Sequence, residues 1–168
     1  KLVWQWNHNP DNNNWSVTAN PGYYRITNGA LANNIWFARN SLTQRTVGPK
    51  FTSETAIVTD GMKAGDYAGI VAVGSDYGMI GVKCDENGNR YIFQGSGTDG
   101  GKKAKASDVI KENAVSSEQI KDGEKVFLKV EYSFNTGKQR SDKATFYYSM
   151  DGSNWTKFGE ELSMRFDT

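Results

Sequence analysis

Between Val126 and Phe134 every second residue is apolar: Val126, Leu128, Val130, Tyr132 and Phe134 fall on one side, Lys129 and Glu131 on the other. A period of two is the pleat of a β-strand, and it demands one buried face and one wetted face. Other runs of strand length and β-branched or aromatic content occur at Trp36 to Val47, Thr52 to Thr59, Ala68 to Val73 and Gly78 to Cys84. Tight turns join some of them. Asn87-Gly88, inside Cys84 to Phe93, supplies the positive φ angles of a hairpin, and Asp151-Gly152 does the same between Phe146 and Trp155. Ser107 to Gln119 reads as a short helix or an irregular strand pair, with strand preferred. Gly95 to Lys105, rich in glycine and lysine, cannot anchor a core and reads as a mobile loop. The pattern predicts an all-β chain: a two-sheet antiparallel β-sandwich of eleven or twelve strands.

The amino-terminal segment carries Trp4, Trp6 and Trp15 around a polar loop from Asn7 to Asn14, followed by the Asn20-Pro21-Gly22 corner and a strand through Tyr23-Tyr24-Arg25-Ile26. Trp15 and Trp155, beside strand starts, are expected in the core. Trp4 and Trp6 share one face. At 168 residues the chain suits one domain, burying about 70% of its unfolded surface. A net charge of +1 leaves no electrostatic footprint for nucleic acid. No apolar run reaches the ~18 residues of a membrane span. Lys1-Leu2-Val3 leads straight into the first aromatic pair, so no signal peptide is expected. The single Cys84 cannot form an internal disulfide, assigns no compartment, and reads as a small buried hydrophobe.

The ordered blocks WQWNHNPD, WSVT, PGYYRI, ARNSLTQRTVGP, MKAGDYAGIVAV and YGMIGVK resemble one family. They are similar to the carboxy-terminal concanavalin A-like β-sandwich (a jelly roll) that follows the catalytic propeller in many family 43 glycoside hydrolases. Those enzymes include β-xylosidases and α-L-arabinofuranosidases. The later FYYSMDGSNWTKFG is similar as well, and the resemblance runs from Leu2 to about Gly159. It implies a single module, residues 1–168, separated from a longer hydrolase whose covalently linked propeller carries the cleaving acids. The end at Phe166-Asp167-Thr168, where the family continues with another strand segment, implies a missing last strand.

Chemistry narrows what such a module does. Glycoside hydrolysis needs two carboxylates roughly 5 to 9.5 Å apart. Glu54 and Glu131 each stand alone in their strands, Asp85 and Glu86 sit in a turn, and Glu160 and Glu161 are adjacent, so autonomous hydrolysis is disfavoured. His8, the only histidine, is expected to serve its loop; one histidine and one cysteine cannot build a four-ligand zinc site. No cofactor is expected, although a structural calcium lies within the chemistry of Asp, Asn and carbonyl oxygens. The run Asp85 to Asn89 has its glycine misplaced for an EF-hand and reads as a hairpin turn.

Sugar binding asks for flat aromatic platforms and directed polar partners. Tyr77, on a turn, is the candidate exposed platform, and Trp36 could face either way. The polar run Ala38 to Arg45 either lies on an ordinary wetted sheet face or contributes Arg39 and Gln44 to a concave polar face shared with Lys129, Glu131 and Tyr147. Three functions are consistent with these residues. The first is a non-catalytic module that binds plant cell-wall polysaccharide or oligosaccharide of xylan type. The second is a structural domain that packs on the propeller and shapes its pocket without sugar affinity of its own, with Asn7 to Asn14 as a docking element. Autonomous hydrolysis comes last.

Overall fold

The computed structural model describes residues 4–98, 103–135 and 142–164. Among them the chain forms thirteen strands, one 3-10 turn and no α-helix. Two compact units divide these elements, with boundaries at Thr46/Val47, Lys103/Ala104 and Val109/Ile110.

The smaller unit holds two minimal ladders. β1 (Gln5–Trp6) pairs with β4 (Leu42–Thr43), and β2 (Trp15–Ser16) pairs with β3 (Arg25–Ile26). Its centre is aromatic: the rings of Trp6 and Trp15 lie 5.2 Å apart, and Tyr24 is 6.2 Å from each. Loops are held by asparagine. Asn40, buried and with φ of 61°, accepts from the Asp11 amide at 2.9 Å and donates to the Asn14 carbonyl at 3.3 Å. The Tyr24 hydroxyl donates to the Asn40 carbonyl at 2.7 Å. Asparagine tolerates this left-handed backbone better than most side chains.

Two sequence expectations change here. Trp36 to Val47 is not a strand: a 3-10 turn spans Ile35–Phe37, and only Leu42–Thr43 is extended. The Asn34 side chain accepts from the Trp36 amide at 3.1 Å and caps that turn, while the left-handed Asn40 breaks the extended backbone just before Leu42. Lys105, expected in a mobile loop, is anchored. Its carbonyl accepts from Asn34 Nδ2 at 3.0 Å and its amide donates to Asp108 Oδ2 at 2.8 Å.

The larger unit is the predicted antiparallel sandwich. One sheet runs β6 (Tyr67–Val73), β7 (Tyr77–Cys84), β8 (Arg90–Gly97), β9 (Lys111–Ile120). The other runs β12 (Thr156–Lys157), β11 (Asp142–Ser149), β10 (Lys125–Ser133), β5 (Lys50–Val58), with β13 (Leu162–Met164) also on β11. Alternation in β10 holds: Val126, Leu128, Val130 and Tyr132 are buried, and with Ala144 and Phe146 they pack on Ala72, Ile80, Val82 and Ile92. Gly78 permits a close approach between the sheets, since a Cβ there would stand 2.5 Å from Phe146 Cζ. Within one sheet, Gly69 and Gly81 are register partners, and a Cβ on Gly81 would lie 2.2 Å from the Ala68 carbonyl oxygen.

Both predicted hairpin turns form. Asp85 accepts from the amides of Asn87 at 2.9 Å and Asn89 at 2.8 Å, and Gly88 takes φ of +83°. Asp151 accepts from the Ser153 and Asn154 amides at 2.8 and 2.7 Å, which holds its carboxyl well below the usual carboxylate range. Ser107 to Gln119 resolves as strand from Lys111. Gly95–Gly97, assigned to the mobile loop, instead closes β8 through pairing with both β7 and β9, and residues 99–102 lie outside those described. Cys84 is buried, and burial pushes its thiol up.

The β8–β9 ladder is irregular. Tyr91 pairs with Gln119 and Phe93 with Val115, so Ser116, Ser117 and Glu118 stand opposite Ile92 alone. A second shift between Gln94 and Gly95 leaves Asn113 unpaired in register, and its Nδ2 donates to Gln94 Oε1 at 3.1 Å and Ser96 Oγ at 3.0 Å.

Candidate functional site

The outward face of the five-stranded sheet gathers three of the sequence-selected residues. Register sets Lys129 of β10 between Glu54 of β5 and Tyr147 of β11, and sets Glu131 between Thr52 and Thr145. The Lys129 ammonium lies 4.7 Å from the centre of the Tyr147 ring, 4.6 Å from that of Trp155 and 3.2 Å from Glu131 Oε1. Its side chain is only 13% exposed, so two ring faces and a carboxylate take the place of water. Burial first, then the hydrogen bond to Glu131 and the negative charges of Glu131 and Glu161, push the Tyr147 phenol up. Tyr147 therefore acts as a donor. Glu161 takes 2.7 Å from Lys143 Nζ and 3.3 Å from the Thr145 hydroxyl, and that first contact chiefly draws its carboxyl down.

Cross-strand pairing reveals what a search within single strands could not. Glu54 and Glu131 are diagonal neighbours on one face, a relation that spaces Cβ atoms about 7–8 Å apart. Carboxyl groups on such neighbours can reach the roughly 5–9.5 Å separation that hydrolysis uses. Yet Lys129, the register partner of Glu54, pairs with Glu131 at 3.2 Å, so a cation already occupies the space beside one of the two carboxylates. The group is an ion-pair cluster.

Other expected positions fall elsewhere. Tyr77 is not an exposed platform: it is 1% exposed at the start of β7, and its ring lies over Gly97, where a Cβ would meet Cε1 at 2.3 Å. A glycine partner lets the ring lie down on the sheet. Trp155, expected in the core, is half-buried on the outward face beneath Lys129. The signal was present, because counting back through the Asp151-Gly152 turn from the Tyr147–Lys157 pair puts Trp155 on the side of Tyr147. Trp36, Arg39 and Gln44 belong to the smaller unit; Trp36 is half-buried, while Arg39 and Gln44 are exposed. His8 Nε2 donates to the Trp36 carbonyl at 2.5 Å, in keeping with a loop role. Among the described residues, no three His, Cys, Asp or Glu side chains gather as metal ligands.

Two antiparallel sheets packed through Gly78 and Phe146, with a charged and aromatic outer face, define a concanavalin A-like accessory sandwich. The family described as the β-xylosidase C-terminal concanavalin A-like domain matches residues 1–167. The chain belongs to that family. A β-xylosidase of Formosa agariphila is 28% identical over 97% of this chain and 28% of its own length. A putative β-xylosidase of Xylanibacter ruminicola is 27% identical over 97% of this chain and 26% of its own. Among solved structures, a bifunctional GH43-CE protein of Bacteroides eggerthii superposes with a TM-score of 0.80 at 39% identity, over 98% of this chain and 19% of that one. The chain thus spans about a quarter of the curated relatives it matches.

Proposed function

We propose that the chain is a docking and bracing module of a family 43 glycosidase, packing on the catalytic domain through its smaller unit. The observation that carries this is apolar exposure: Leu31 is 92% exposed, Val17 57% and Trp4 56%, with Ile26 and Phe37 also open to solvent. So many large apolar side chains on one small unit favour an interface, since covering them gains about 25 cal/mol per Å². The matched relatives extend well beyond the aligned segment, which leaves room for such a neighbour on the same polypeptide. Side-chain footprinting of the lone chain and of the full-length glycosidase tests the reading. Trp4 and Leu31 should be labelled strongly in the first and protected in the second. Equal labelling in both would remove the proposal.

The Lys129 cluster favours a second reading, non-catalytic recognition of a xylan-type chain on the outward sheet face by Lys129, Glu131, Tyr147 and Trp155. Arg39, Gln44 and Trp36, in the smaller unit, are separate sugar-binding candidates and take no part in this face. It ranks second because a sugar stacking on either ring must displace the ammonium, at about 0.5–2 kcal/mol. Calorimetric titration with xylo-oligosaccharides should give heat that Trp155→Ala removes. Heat unchanged in that variant, or no heat at all, excludes this face.

A further inference from the structure

The bulged part of β9 borders a cleft. It has a volume of about 480 Å³ and is lined by Val115, Ser116, Ser117 and Glu118 on one side and by Tyr148 and Phe158 on the other. That volume lies within the ~300–1,000 Å³ of small-molecule sites. We propose that this cleft binds one sugar ring or a comparable neutral cyclic polyol, independently of the docking role and of the Lys129 face.

Three observations support the assignment. First, the bulge is built to present side chains. Ser116 Oγ accepts from the Ile92 amide at 3.1 Å and donates to the Glu118 carbonyl at 2.9 Å, so one hydroxyl pins the distortion. Ser117 and Glu118 are thereby released toward the cleft, and bulges commonly re-aim side chains beside binding sites. Second, the polar groups there are unclaimed. Among the described residues the Ser117 hydroxyl, the Glu118 carboxylate and the Tyr148 hydroxyl make no hydrogen bond to a neighbour. Together they offer both donors and acceptors, and a carboxylate can accept from two adjacent ring hydroxyls. Third, the far wall is aromatic. Tyr148 and Phe158 meet edge to face with centroids 5.3 Å apart and both are half-buried, leaving ring surface for the C–H side of a sugar.

The inner end of this site is rigid. Asn113, two residues before Val115, and Glu160, two after Phe158, both hydrogen-bond the buried Gln94, at 3.1 and 3.0 Å to Oε1. Gly159 makes the contact feasible, since a Cβ there would come within 2.4 Å of that oxygen. The lining bears one carboxylate and no cation, which disfavours phosphorylated sugars and uronates.

Amide NMR titration of the intact chain with D-xylose, L-arabinose and xylobiose, and with glycerol as a control, tests the proposal. Saturable shifts centred on residues 115–118 and 158 are expected for at least one sugar and not for glycerol. Ser117→Trp, which fills the cleft from an exposed position, should weaken binding by at least about tenfold. Tyr148→Phe keeps the ring pair and should weaken it less, with the melting temperature unchanged in both variants. Absence of saturable shifts, equal response to glycerol, or affinity untouched by both substitutions overturns the site. None of these results bears on footprinting of the smaller unit, so the two proposals fail separately.

Discussion

Truncating Phe146 to alanine is expected to cost about 3–5 kcal/mol of folding stability, the range for removing a fully buried phenyl ring. The ring is 1% exposed and reaches the opposite sheet at Gly78, which has no side chain of its own to refill the space. Its neighbours in the core are strand residues with little freedom to collapse. Since domains commonly hold only about 5–15 kcal/mol in total, the variant should sit close to unfolding at ambient temperature. Urea titration should show the midpoint falling with the slope unchanged. A loss under about 1 kcal/mol would mean that the sheets close up locally.

Gly81→Val is expected to match or exceed that effect by a different route. The added Cβ meets the Ala68 carbonyl oxygen at 2.2 Å and the Gly69 Cα at 3.0 Å, so the obstruction is backbone and has no rotamer to escape into. Overpacking usually costs about 1–3 kcal/mol when side chains can shift, and this case lies above that range. The β6–β7 ladder has to separate. Hydrogen exchange should lose protection first at Ala68 to Val71 and Ile80 to Val82, and protection equal to wild type would mean that the ladder absorbs the side chain intact.

The larger unit was readable because its signals are local. Alternation from Val126 to Tyr132 marks one buried face, and Asn87-Gly88 and Asp151-Gly152 mark reversals. The smaller unit was less readable, since its order comes from asparagine side chains bonding backbone groups far along the chain, as Asn34 does with Lys105 and Asp108. Polarity from Ala38 to Arg45 therefore signalled loop packing where a wetted strand was expected. Tyr77 misled for a related reason: the glycine that accommodates its ring, Gly97, is its cross-strand partner and no neighbour in sequence. At the candidate site, Lys129 and Glu131 were found from strand parity, whereas Trp155 needed the hairpin register. The β9 cleft needed the bulge, which no alternation pattern announces.

That bulge also shapes the rim that its sheet offers to other chains. β9 is the outermost strand of its sheet, with backbone groups on one side that have no strand beside them among the described residues. A regular rim of that length would invite a foreign segment to zip on and seed fibre growth. Ser116, Ser117 and Glu118 crowded opposite Ile92, with Glu112 further along the strand, break the repeat that an incoming strand must match, so the same distortion that borders the cleft makes this rim a poor template for polymerisation.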